Sequence, residues 1–168
     1  MSESVFRYCP MCATALIEKD INHVRRPACP ACSFIQFLNP KLVVVVVIQY
    51  MGKLLLGKRN IEPGKGLWNF CGGYIDLGET VQEAAIREVK EEANLDVQLE
   101  NLVGIYSSGG GSHVIIAYQA SMLSHQMSSL APQHEEVSEL AFFDAEELPP
   151  FAFFVDEEIV RDWKKLNG

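Results

Sequence analysis

Gly73-Tyr-Ile-Asp-Leu-Gly-Glu79-Thr80-Val-Gln-Glu83-Ala-Ala-Ile-Arg87-Glu88-Val89-Lys-Glu91-Glu92-Ala93-Asn94-Leu95 is the stretch from which the rest of the chain can be read. Its punctuation is that of a helix. Thr80 is a good N-cap and Glu83, three residues on, completes a capping box. The helix should run over residues 81–93, with Asn94 suited to the left-handed position after its last turn. Glu88, Glu91 and Glu92 stand at i, i+3 and i+4, so the three carboxylates share one face, beside an apolar arc of Ala85, Ile86, Val89 and Ala93. Like charges at this spacing repel. Lys90 points elsewhere, which leaves Arg87 and a metal ion as compensation. The competing reading is an ordinary solvated acidic face. The Gly72-Gly73 pair just upstream favours the functional one, because glycine lets the backbone approach a metal or phosphate closely.

Upstream, residues 42–49 and 53–58 read as strands joined at Gly52, the first of them a valine-rich apolar run. Residues 60–66 are a polar Gly/Pro loop and 67–75 a short extended segment. Downstream, residues 102–107 and 114–121 read as strands around a Ser/Gly loop. Residues 124–136 read as a mobile loop, 140–143 as a further strand, and Asp144 as the cap of a short turn. Ile159, Val160, Trp163 and Leu166 give a last helix one apolar face. Strands of mixed spacing with two principal helices point to an α/β or α+β sandwich.

The chain divides near Asn39-Pro40, giving expected domains 1–38 and 39–168. Before this point lie Cys9-Pro-Met-Cys12 and Cys29-Pro-Ala-Cys32, with 16 residues between the pairs. Two such knuckles can point four thiolates at one tetrahedral ion, so Cys9, Cys12, Cys29 and Cys32 are expected to hold a structural Zn2+ in a small zinc ribbon. Two disulfides, or a redox CxxC, are the alternatives; a reducing compartment disfavours the first and the sequence context the second. Cys71 stands alone and reads as a small packed residue. The formal net charge of -8 argues against a general nucleic-acid surface, which rests on Lys and Arg, and an acidic protein that handles phosphate would mask charge with bound cations. No segment is long and apolar enough to span a membrane, and the first residues carry no signal-like stretch, so a cytoplasmic protein is expected.

The quoted stretch resembles the Nudix box, Gly-x5-Glu-x7-Arg-Glu-U-x-Glu-Glu-x-Gly-U with U a bulky aliphatic residue. Gly73, Glu79, Arg87, Glu88, Val89, Glu91, Glu92 and Leu95 match in register, and Asn94 replaces the family's glycine. Asparagine tolerates left-handed backbone best among the non-glycine residues, so the helix end should survive. The resemblance implies a Nudix α/β/α sandwich with a mixed sheet and a hydrolase acting on a diphosphate linkage. It further implies that Glu88, Glu91 and Glu92 bind Mg2+ or Mn2+ with the carbonyl of Gly72, that Arg87 orients the glutamates, and that Glu79 supports the box or completes the metal shell. Glu92, Glu135 and Glu136 are candidates for the general base; exposed loop charge is the other reading of the last two.

The whole chain resembles a Nudix subgroup with an N-terminal zinc ribbon and an Asn-Pro-Lys entry, acting on ADP-ribose and FAD. NADH pyrophosphatases share the ribbon, but their Ser-Gln-Pro-Trp-Pro-Phe-Pro motif is absent from residues 106–113, and the downstream proline of many ADP-ribose enzymes is replaced near Gly111. Arg59, Gly73 and Tyr74 are candidates for substrate contact, with Lys58 beside Arg59; Phe70, Tyr106 and His113 are further candidates to meet a base, against core or surface packing. The expected partner is a small nucleotide, the expected assembly a homodimer. The alternatives are an NAD(H) pyrophosphatase and a non-catalytic nucleotide sensor whose ribbon contacts nucleic acid.

Overall fold

A computed structural model describes residues 6–109, 111–122 and 127–168. The chain divides into two units, residues 1–40 and 41–168. In the first, β1 (Ile17–Ile21) and β2 (Val24–Ala28) form an antiparallel hairpin. Isolated bridges Tyr8 to Ala15 and Ala28 to Ile35 flank it.

The second unit is built on the valine run. β3 (Lys41–Tyr50) lies inside a seven-stranded mixed sheet and is buried on both faces from Val44 to Ile48. This is why its sequence is continuously apolar and not alternating. Its side chains still divide by parity. Val44, Val46 and Ile48 pack with Leu55 against α1 (Val81–Ala93), whereas Val45 and Val47 pack with Leu54 and Leu56 of β4 (Lys53–Arg59) beneath α2 (Phe154–Asn167). The result is helix, sheet and helix in layers, the α/β/α sandwich expected. β3 turns into β4 at Met51 and Gly52, both with positive φ (49° and 79°), the twist that a tight hairpin requires.

β3 pairs in parallel with β8 (His113–Met122), which pairs antiparallel with β7 (Val97–Ser107). β4 pairs antiparallel with β9 (Val137–Asp144) and with β5 (Trp68–Asn69); β6 (Cys71–Tyr74) pairs antiparallel with β3. Helix α1 begins and ends where its punctuation places it. Thr80 accepts from the Glu83 amide, Glu83 reaches back to the Thr80 amide, and Asn94 is left-handed at φ 54°.

Three details of the helices differ from the sequence reading. Ile86 is 43% exposed, and Glu92 is buried at 8%. The inward arc of α1 is Ala84, Ala85, Val89, Glu92 and Ala93, so one box carboxylate lies within the buried stripe, and Ile86 falls on its rim. Leu166 is likewise exposed, in the last turn beyond Trp163, whereas Ile159, Val160 and Trp163 are buried as expected. The loop expected over 124–136 lies in part outside the described residues. Its described part holds a 3-10 turn (Met127–Ser129) and is tied to the end of α1. Asn94 Nδ2 donates to the Ser129 carbonyl (2.9 Å), and the amides of Ala131 and Gln133 donate to the carbonyls of Ala93 and Glu92. These bonds satisfy carbonyls that a helix end leaves open and fix the entry to β9.

Candidate active site

A cleft of about 800 Å³ opens in the second unit where β6, α1 and the loop before β9 meet. Gly72 and Gly73 set its floor. A Cβ at Gly72 would overlap the Val44 carbonyl oxygen and sit 2.8 Å from Val45 Cα, and one at Gly73 would overlap the Glu88 carboxylate. At Gly72 the obstacle is the β3 backbone, so no larger residue fits there, whereas at Gly73 the Glu88 carboxylate would have to move aside. The contact at Gly72 is through its amide, which donates to Glu92 Oε2 at 2.9 Å.

Arg87 organises the box. Its Nε and Nη2 grip the Glu79 carboxylate at 3.1 and 2.7 Å, and Nη1 reaches Glu88 Oε1 at 2.9 Å and Glu91 Oε2 at 3.0 Å. Nη2 also donates to the Tyr74 carbonyl at 3.0 Å, tying the helix to the end of β6. The Asp76 amide donates to Glu79 Oε1 at 2.6 Å, so the loop into α1 closes around the same ion pair. The arginine holds Glu79 below the usual carboxylate range. Burial pushes Glu88 up against the pull of Arg87, and burial together with repulsion from Glu88 and Glu136 raises Glu92 to about 8. One arginine therefore does not neutralise the cluster.

Arg59, Gly72, Gly73, Tyr74, Arg87, Glu88, Glu91, Glu92 and Glu136 all line the cleft. Glu79 acts on it through Arg87, and Glu135 is exposed outside it. Among the described residues, the four cysteines are the one group of three or more potential ligands lying within 4.8 Å of one another. The box carboxylates share the cleft without forming such a group: one Arg87 nitrogen bonds Glu88 and Glu91 together, and the Gly72 amide holds Glu92. An oxygen-only set still suits a hard divalent cation, which takes one or two carboxylates with waters and substrate phosphates. The aromatic candidates part company. Tyr74 Oη and His113 Nε2 are 3.1 Å apart at the cleft mouth, and Phe70 is buried in its wall. Tyr106 bonds Asp162 instead. Lys58 pairs with Glu139.

In the first unit, Cys9 Sγ lies 3.6 Å from Cys32 Sγ, and Cys12 Sγ lies 3.5 Å from Cys29 Sγ and 3.8 Å from Cys32 Sγ. These spacings are too long for disulfides, whose sulfurs lie about 2.05 Å apart. Four sulfurs at about 2.3 Å around one tetrahedral ion would lie about 3.8 Å apart. The amides of Met11 and Ala31 point at Cys9 and Cys29 Sγ, both at 3.4 Å, as expected of thiolate knuckles. The quartet could hold a metal, with no position open for catalysis.

Sequence reasoning missed Asp156. It lies in the first turn of α2, lines the cleft, is 2% exposed, and has a buried Oδ2 with no hydrogen-bond partner. Burial raises its pKa from 3.8 to about 7, against the opposing Phe153 amide and Arg59 charge. A carboxyl raised on folding stabilises the fold fully below its unfolded pKa and loses that contribution as pH climbs through the folded value. Asp156→Asn, which does not titrate, should therefore match the parent near pH 4. It should gain on it by a few kcal/mol by about pH 8, read by denaturant unfolding without divalent cations. A constant difference across that range would contradict the burial of this charge.

The sequence model of the NUDIX domain matches residues 39–163. The ADP-ribose pyrophosphatase of Methanocaldococcus jannaschii is 35% identical over 136 residues, covering 79% of this chain and 78% of that protein. The NAD-capped RNA hydrolase NudC of Pseudomonas aeruginosa is 27% identical over 146 residues, 86% of this chain; the chain spans half the length of that relative. Among solved structures, a NUDIX hydrolase from Nitrosomonas europaea superposes with a TM-score of 0.87 at 29% identity, over 97% of this chain and 94% of that one. With the family pattern spanning the sandwich and both helices, this chain belongs to the NUDIX domain family.

Proposed function

We propose that the chain hydrolyses the diphosphate linkage of a nucleoside diphosphate derivative, ADP-ribose or FAD, releasing AMP and the partner phosphate. The observation that carries this reading is the box itself: Glu88, Glu91, Glu92 and Glu136 line one cleft with a single arginine bonded to the first two. The 35% identity to an ADP-ribose pyrophosphatase supports the substrate. Mg2+ or Mn2+, held by Glu88, Glu91 and Glu92 with the Gly72 carbonyl, would neutralise the diphosphate and acidify the attacking water. Arg87 fixes the rotamers of Glu88 and Glu91 and, through Glu79, the loop that precedes them. Gly72 holds Glu92 by its amide, and the Cys71 thiol hydrogen-bonds the same carboxylate. Glu136, exposed at the cleft edge on a loop pinned to α1, takes the proton of the attacking water as general base. Arg59, Gly73 and Tyr74 line the same cleft and contact the substrate.

Turnover of a panel of diphosphate nucleotides with Mg2+ or Mn2+, with products identified, tests the reading; no hydrolysis of any by metal-replete protein would defeat it. Glu136→Gln should lower kcat on the order of 100-fold or more at unchanged KM. A kcat within a few-fold of wild type would move the base elsewhere. NAD(H) is the second reading, supported by the match to NudC over 86% of this chain, and the same panel separates the two by product.

The cysteine quartet is assigned to structural Zn2+, on four thiols free of disulfides whose sulfurs lie within 4.8 Å of one another, a state that fits a reducing cytoplasm. Among the described residues, no helix is long and apolar enough to cross a membrane. The proposed homodimer is checked by mass measurement before and after zinc removal.

A further inference from the structure

We infer that Asn60 is the positioning residue for Glu136, clamping the turn that carries this carboxylate to the end of β4 and so keeping its charge at the cleft edge. The inference rests on the reading of Glu136 as general base and names the residue through which that base is held.

Unlike the box glutamates, Glu136 is carried by a turn and not by a helix. A group on exposed backbone keeps one place only where that backbone is tied down. Its charge nonetheless bears on both Glu88 and Glu92 across the cleft. Asn60 supplies two of the ties. Its amide donates to the Glu136 carbonyl and its Nδ2 to the His134 carbonyl, both at 2.7 Å. Within the turn, the amides of Glu136 and Val137 donate to the Gln133 carbonyl at 3.2 and 2.9 Å, and the Gln133 amide donates to the Glu92 carbonyl. The turn is thus strung between the end of α1 and the end of β4. The anchor is itself fixed: the Arg59 amide donates to the Leu67 carbonyl and the Gly66 amide to the Arg59 carbonyl, both at 2.9 Å.

Strand register explains why Glu136 meets this residue. β4 and β9 pair Lys58 with Glu139 and then Arg59 with Val137, which leaves Ser138 as an extra residue. Ser138 Oγ donates to the Lys58 carbonyl at 3.1 Å and secures the irregularity. In even register Asn60 would stand opposite Val137; with the extra residue it meets Glu136 instead. Bulges of this kind re-aim a side chain beside a site. The Asn60 side chain serves as a donor to a carbonyl, a task that needs its N–H and not its bulk. Asn60 acts through Glu136, apart from substrate and cation.

The experiment measures ADP-ribose hydrolysis at saturating Mg2+ by wild type, Asn60→Ala, Asn60→Asp, Glu136→Gln and Asn60→Ala combined with Glu136→Gln, each first checked by circular dichroism. Asn60→Ala should lower kcat roughly 10-fold with KM within about two-fold, as a displaced base does. Asn60→Asp fills the same space but sets an oxygen against the His134 carbonyl, so it should lose at least as much. In the Glu136→Gln background, Asn60→Ala should shift kcat by less than about two-fold, because the group it positions is already gone. Amide exchange at Glu136 and Val137, followed by NMR, should quicken roughly five- to ten-fold in Asn60→Ala. A kcat near wild type in Asn60→Ala or Asn60→Asp, or an undiminished cost in the Glu136→Gln background, overturns the inference. If Asn60→Ala does not fold, Asn60→Asp in both backgrounds carries the same comparison. If ADP-ribose is not hydrolysed, or Glu136→Gln is as fast as wild type, the hydrolytic reading or the base assignment falls. Exchange then decides: quickened amides leave the clamp standing, and unaltered amides overturn it.

Discussion

Replacing Glu92 by Gln is expected to reduce kcat/KM by roughly three orders of magnitude while the protein stays folded. Glu92 is buried in the inward stripe of α1, yet it lines the cleft and receives the Gly72 amide at 2.9 Å. Glutamine keeps that bond, since its carbonyl oxygen accepts as the carboxylate did, and it fills the same space. What it removes is the charge. In the cation-free protein that charge is opposed by burial and by Glu88 and Glu136, so its loss should leave the unfolding midpoint unchanged or raise it. In the working enzyme the same charge is proposed to hold a divalent cation against the diphosphate, an interaction worth several kcal/mol in the transition state. The two effects have opposite signs, which separates a catalytic role from a packing role. Glu91→Gln should resemble it in activity, and its side chain is half exposed, so the fold is under even less strain. The measurement is steady-state kinetics at several Mg2+ and Mn2+ concentrations, with thermal unfolding in parallel. A Glu92→Gln enzyme of undiminished rate at saturating cation would remove this residue from the mechanism.

The frame of the fold and the box could be read because both are local patterns. The capping box at Thr80 and Glu83 and the left-handed Asn94 bracket α1 at the residues expected, since caps depend on chain neighbours alone. The valine run announced a strand, and its burial on both faces is what the structure adds. What escaped depends on partners distant in sequence. Glu92 and Asp156 each stand in the apolar stripe of an amphipathic helix, the first with Ala85, Val89 and Ala93, the second with Ile159, Val160 and Trp163. An acid at such a position was a visible signal. It was passed over because Glu92 was grouped with its charged neighbours, and because Asp156, in the first turn of α2, looks like an ordinary dipole-favoured residue. Ile86 erred in the other direction: spacing placed it near the apolar arc, and the sheet extends less far round the helix than the arc assumed. Glu136 could be named only as one of three candidates for the base, with Glu92 and Glu135. Glu136 lines the cleft and Glu135 does not, on a loop whose Ala131 and Gln133 amides bond the last carbonyls of α1, a contact between loop and helix that no local pattern encodes.

Stripping metal from the cysteine quartet is expected to unfold the first unit and leave the second intact. Apart from Cys9 and Cys29, the buried residues described before position 41 are Pro27, Ala28 and Gln36. Phe6, Tyr8, Met11, Ile17, Val24 and Phe37 are all exposed. A two-stranded hairpin with so little apolar burial does not hold itself together in water. The four sulfurs, in contrast, converge from both ends of the segment, and a structural zinc ion contributes about 10–16 kcal/mol at neutral pH, nearly all of it as folding free energy. The second unit has a core on each face of its sheet, and every residue lining the cleft belongs to it. Chelation, or Cys29→Ser with Cys32→Ser, should therefore collapse the amide dispersion of residues 6–40 in a heteronuclear spectrum and expose them to protease. Diphosphate hydrolysis should stay within a few-fold, provided the chelator is removed and Mg2+ restored before assay. One zinc released per chain, titrated as the thiols are modified, completes the expectation. Intact dispersion of residues 6–40 in metal-free protein, or disulfide-linked peptides by mass spectrometry, would show that something other than a tetrathiolate ion secures this unit.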